Sequence, residues 1–171
     1  MTSANVKKQL WWYRKFRGAA FASAIGFLVL TVAIALPFQP FSYLPPIIVG
    51  GGPGTWFLLA YLLLLAVGVA GFGAFSSFLH TIETHENRSV SSSVMWPAFI
   101  LICVGFASGC MLLAIAGASG GYTATISNAS GTSVENLLRP FVYPVTVSTL
   151  TAVVGAALAL YAMIRAGWPA P

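Results

Sequence analysis

WFLLAYLLLLAVGVAGFGAFSSFL occupies residues 56–79, and none of its side chains is charged. A helix of this length, rising about 1.5 Å per residue, covers about 36 Å. That exceeds the roughly 30 Å of a bilayer's hydrocarbon core. Apolar residues fall on every face of such a helix, so no polar side is left for water. The polar–apolar alternation of a membrane β-strand is absent. In lipid the backbone must satisfy its own hydrogen bonds, so the segment reads as a transmembrane helix.

The same argument applies to residues 18–36, 95–118 and 141–164, which also lack charge. The chain has 171 residues, 58% of them hydrophobic and 6% charged. A globular domain is about 25% charged, so this composition cannot clothe a soluble surface. The expected fold is an all-α integral membrane protein, four transmembrane helices in an antiparallel up-down bundle. The whole chain, 1–171, forms a single membrane domain. Residues 1–17 form a basic and aromatic interfacial segment, 37–55 and 119–140 are outer loops, and 80–94 is an inner loop. Pro37, Pro40, Pro45 and Pro46 close the first span. Ser91, Ser92 and Ser93 offer caps for the third, with Pro97 in its first turns. Pro140 and Pro144 are expected at the start of the fourth, with Gly167 and Pro169 ending it.

Direction follows from the basic residues. Lys7, Lys8, Arg14, Lys15 and Arg17 precede the first span, Arg88 lies between the second and third, and Arg165 follows the fourth. Only Arg139 falls on the opposite side. The positive-inside rule therefore places the N- and C-termini in the cytoplasm of a multi-pass protein. The segment KKQLWWYRKFR, residues 7–17, suits a short interfacial helix, with Trp11 and Trp12 at headgroup level and its cations on anionic lipid. The net charge of +5 is thus a signal about a membrane surface, and no nucleic-acid partner is expected.

Residues 47–55, IIVGGGPGT, resemble a dinucleotide-binding turn at first sight. That site needs a soluble strand–turn–helix unit and an acid about 20 residues on. Here a transmembrane helix follows, the next acid is Glu83 beyond it, and the third fingerprint glycine is replaced by Thr55. The string reads as a tight turn before Trp56 anchors the next span. Phe38, Phe41, Tyr43, Leu44, Ile47 and Ile48 make the loop before it too apolar for free water. It is expected along the headgroup layer, at the bilayer edge or over a neighbouring subunit.

The densest polar chemistry is His80, Glu83, His85 and Glu86. His80 and Glu83 lie one helical turn apart, while an α-helix would turn His85 elsewhere. Two ligands fall short of the three or four that zinc requires, so these residues read as a solvated helix end and no metal or other cofactor is expected. Cys103 and Cys110 share one helix face about 10 Å apart, too far for a disulfide. The spans contain no ionisable group for a proton relay or ion-coupled carrier. Thr146, Ser148, Thr149 and Thr151 are expected to bond to their own helix carbonyls. Asn128-Ala129-Ser130 is a glycosylation acceptor on the outer side.

Small residues recur at four-residue spacing, which lets membrane helices approach closely: Gly18, Ala22 and Gly26; Ala70 and Ala74; Gly105 and Gly109; Ala152 and Ala156. With no catalytic set in view, the expectation is a non-enzymatic accessory subunit of a multi-subunit membrane complex, such as an energy-converting one. Its partners would be lipids and other integral subunits, in a hetero-oligomer rather than a homo-oligomer. The alternatives are a homo-oligomeric channel or carrier for a neutral small solute, and a lipid- or quinone-active enzyme using residues 80–86.

Overall fold

A computed structural model describes residues 11–86 and 88–167. It contains four helices long and apolar enough to cross a membrane. α1 spans Trp11–Ala35. A 3-10 turn, Phe41–Tyr43, leads into the short α2, Leu44–Val49. α3 runs over Gly54–His85, α4 over Ser92–Thr125 and α5 over Gly131–Gly167. No strand is present among the described residues. The chain is therefore an all-helical protein of the multi-pass membrane type.

Every long helix outruns its apolar stretch. At 34 and 37 residues, α4 and α5 reach about 50 Å or more, well past the hydrocarbon. The expected loop 119–140 shrinks to the five residues between α4 and α5, and the expected loop 80–94 to a short connection before Ser92. The reason lies in packing. Gly117, Gly120 and Gly121 stay helical because other chain segments lie against them: Phe57 on Gly117, Leu138 and Pro53 on Gly120, Ile47 on Gly121. Pro140 and Pro144 lie inside α5, well past its first two turns, instead of opening it. Ser91 does occupy the position before α4, yet its side chain caps nothing. Pro169 lies outside the described residues.

The first expected loop is also partly helical. Ile47 is buried against Gly54 and Gly121, and the rings of Tyr43 and Tyr122 meet edge to face at 5.5 Å. Gly51 and Gly52 adopt φ of +69° and +53°, the left-handed region that a chain reversal needs and that side chains resist. α2 thus folds back over one end of α3 and α4.

α3 is wound irregularly. Leu64–Gly71 and Thr81–His85 form π-helical turns, each closure taking one residue more than an α-turn. The part before the first π stretch packs on α4, and the stretch itself and the part after it pack on α1. α4 and α5 form the most extensive pair. A Cβ on Gly105 would come within 2.6 Å of the Ser148 carbonyl, and one on Gly155 within 2.9 Å of the Ala98 carbonyl. Between these contacts Ser108 donates to Ser148 across the helices at 3.0 Å.

The tightest core gathers at the basic end. Phe16 is fully buried among Phe72, Phe75 and Phe99, at ring-centroid distances of 6.1, 5.4 and 5.0 Å. Leu79, Met95 and Ala98 complete it. Toward mid-span the packing opens. A crevice of about 230 Å³ lies between α3, α4 and α5, and one of about 530 Å³ between α1, α3 and α4. Phe72, Phe106 and Cys110 border both.

Candidate functional site

The chain's polar side chains converge where α1 begins and α3 ends. Tyr13 is the junction. Its ring meets His80 edge to face at 4.8 Å, its carbonyl accepts from Ser76 Oγ at 3.2 Å, and its N–H donates to the Glu83 carboxyl group. Glu83 is 4% exposed, and its Oε2 has no hydrogen-bond partner. An acid one turn beyond an apolar span reads from sequence as solvated; here α1 covers it. The sequence held no signal for this, because Tyr13 and Glu83 are brought together by tertiary packing alone.

The π winding of Thr81–His85 corrects a second expectation. The Glu86 N–H bonds to the Thr81 carbonyl, five residues back. Residues five apart then share a face, and the His80 and His85 rings lie 6.2 Å apart instead of diverging. Even so, no group of three or more His, Cys, Asp or Glu side chains that could hold a metal forms among the described residues. The arrangement holds α1 on α3.

The aromatic and basic residues after position 10 do not form a separate interfacial helix. Trp11 opens α1, which continues unbroken through Arg17 and Gly18 into the apolar stretch. No proline interrupts the segment, and Trp12 and Phe16 find partners on α4. Trp12 Nε1 donates to Ser92 Oγ at 3.4 Å, and the Trp12 and Trp96 rings pack edge to face at 5.4 Å. Lys15 Nζ lies 3.2 Å from the Trp96 ring centroid and 5.1 Å from that of Trp12, a cation held over two π faces. Arg17 donates to the Tyr13 hydroxyl at 2.6 Å, and Arg14 is exposed. Lys7 and Lys8 lie outside the described residues.

At the same end Arg88 donates to the carbonyls of Ala166 and Gly167, at 3.2 and 2.7 Å. It thereby satisfies the last turn of α5, whose carbonyls have no helical partner. Arg14, Lys15, Arg17, Arg88 and Arg165 therefore share one end of the molecule, and Arg139 lies at the other, near the turn that holds Asn128. Asn128 itself is exposed at a φ of +50°.

The small-residue positions divide in two. Gly105 and Ala152 meet at the α4–α5 crossing, and Gly109 lies 3.6 Å from Ser148 by its added Cβ. Ala156 lines the crevice beside Gly105. Gly18 has no atom within 4 Å of an added Cβ, and Gly26 has only the tip of Leu64 at 4.0 Å. Ala22, Ala70 and Ala74 are exposed. Gly68 and Gly155, which lie beside these stripes, and Gly117, which sequence spacing did not single out, make closer contacts than Gly18, Gly26 or Gly109.

Comparison of the chain with family models, with curated proteins and with solved structures gives no match. Function is therefore argued from the residues and their geometry.

Proposed function

We propose that this chain is a non-catalytic subunit of a larger membrane assembly, an antiparallel four-span bundle with both termini in the cytoplasm. Its work in this reading is to hold partner helices and lipids in place. The observation that carries the proposal is the state of α1. Only 6% of its apolar window is buried by the rest of the chain, against 22 to 33% for the other three spans. Phe21, Ile25, Leu28, Val29 and Val32 are all more than half exposed. Beside them run Gly18, with no atom within 4 Å of an added Cβ, and the exposed Ala22. Small residues on an uncovered membrane helix suit a second backbone drawing near.

The two crevices support the same reading over a solute conduit. Their linings are apolar apart from the cysteines and the hydroxyls of Thr149 and Ser23. Thr149 bonds back to Val145 and Ser23 to Ala19 in their own helices, so neither offers a polar path.

The test is gentle detergent extraction of the native membrane, then native-gel separation and mass spectrometry of the band holding this chain. Migration with several different hydrophobic proteins is the expected result. Migration alone as a small homo-oligomer would overturn the proposal.

A further inference from the structure

A third cavity, of about 340 Å³, lies at the basic end where the beginning of α4 meets the last turns of α5. Its border includes Ser89, Ser91, Tyr161 and Arg165, with Val94 and Ala162 as apolar wall. At about 30 Å³ per water the space exceeds ten water volumes, ample for a phosphate and its ester groups. Four hydrogen-bonding side chains therefore converge on one space, and none of them bonds to another described residue. Among the described residues no acid lines the cavity; the Glu86 carboxylate lies beside it, 3.8 Å from an added Cβ on Gly167, outside the lining.

The local field favours an anion. Arg165 supplies a full positive charge with a planar fork of donors suited to phosphate oxygens. The terminal carbonyls of α5, which would repel an anion, are occupied by Arg88. Charge alone would fit free phosphate as well as a headgroup. A continuous apolar track distinguishes the two. Leu150, Val154, Ala157, Tyr161 and Arg165 follow one another at helical spacing along one face of α5, and all five are exposed. From Arg165 to Leu150 this face covers about 22 Å, more than the half-thickness of the hydrocarbon core. A ligand anchored at Arg165 can thus lay a hydrocarbon chain along α5 toward the bilayer centre.

We propose that this cavity binds the phosphate of an anionic membrane phospholipid through Arg165, Ser89 and Ser91, with an acyl chain along the exposed face of α5. Basic pockets between membrane helices are recurrent sites of this kind. The site is separate from the α1 cluster of Arg14, Lys15 and Arg17, and it does not depend on the subunit reading above.

Native mass spectrometry of the full chain in detergent, titrated with phosphatidylglycerol or with phosphatidylcholine of the same acyl chains, tests it. One phosphatidylglycerol is expected to be retained in preference to phosphatidylcholine. Arg165→Gln is expected to lower that retention about five- to tenfold, the effect of one cation near a membrane surface. It should leave phosphatidylcholine retention unchanged, and Arg165→Lys should recover part of the loss. Arg139→Gln, at the other end, should match the wild type. An Arg165→Gln chain that keeps its preference overturns the proposal. Displacement of the lipid by inorganic phosphate also overturns it, because the cavity would then be selecting a small anion and not a lipid.

Discussion

An added Cβ at Gly117 would collide with the backbone nitrogen of Phe57, and backbone cannot swing aside as a side-chain tip can. Gly117→Ala must therefore push α4 away from the first turns of α3. Overpacking of this kind costs about 1–3 kcal/mol. Gly18 lies on open helix surface, where alanine replaces glycine without a clash. There the substitution relieves the conformational freedom of glycine, worth roughly 0.5–1 kcal/mol in a helix interior. Thermal unfolding in detergent should show a lowered midpoint for Gly117→Ala and an unchanged or raised one for Gly18→Ala. Equal behaviour would mean that the α3–α4 contact at Gly117 is not formed. From sequence the two glycines look alike, and Gly18 even has the better four-residue spacing. Which glycine faces a neighbour depends on how the helices rotate, and no local pattern records that.

At the scale of elements, α5 ends against a side chain from elsewhere in the chain. Its last turn contains Arg165, but the carbonyls of Ala166 and Gly167 are bonded by Arg88, from the segment between α3 and α4. Arg88→Ala removes both bonds and should fray that turn. Hydrogen bonds to a charged donor are worth about 1.5–3 kcal/mol. Hydrogen–deuterium exchange should then quicken over the last turn of α5 while residues 148–156 stay protected. Unchanged exchange at the end of α5 would mean that the Arg88 contact is absent in solution. The existence of the four long helices was legible because hydropathy over about 20 residues overrides every weaker signal. Their ends were not. Gly120, Gly121, Pro140 and Pro144 are breakers by propensity, yet all four lie inside helices, the two glycines under close tertiary contact. The π turns of α3 were equally hidden, since their sequences LLAVGVAG and TIETH differ little from ordinary helix. The polar cluster was visible as residue types at 80–86. Its burial was not, because it is Tyr13, far away in sequence, that covers Glu83.

For the whole molecule, the proposed four crossings would put residues 84 and 127 on opposite sides of a membrane, and the beginning of α1 on the same side as the end of α5. All the described Lys and Arg residues except Arg139 share the end where α1 begins and α5 finishes. The cytoplasmic leaflet carries anionic lipid, which attracts such an end and resists its transfer. Substituted cysteines convert this into a measurement. Thr84 and Ser127 are exposed, one at the basic end and the other in the turn before α5. Cys103 and Cys110 lie within α4, away from both aqueous faces. A membrane-impermeant maleimide applied to intact cells should label Ser127→Cys and leave Thr84→Cys unlabelled until the membrane is opened. The reverse pattern would invert the orientation while keeping four spans. Labelling of both positions in intact cells would break the four-span topology itself, because residues separated by the whole of α4 would then share one face. The phospholipid site at Arg165 and the interfacial Lys15 would in that case face water of the wrong side, and the charge argument would lose its membrane.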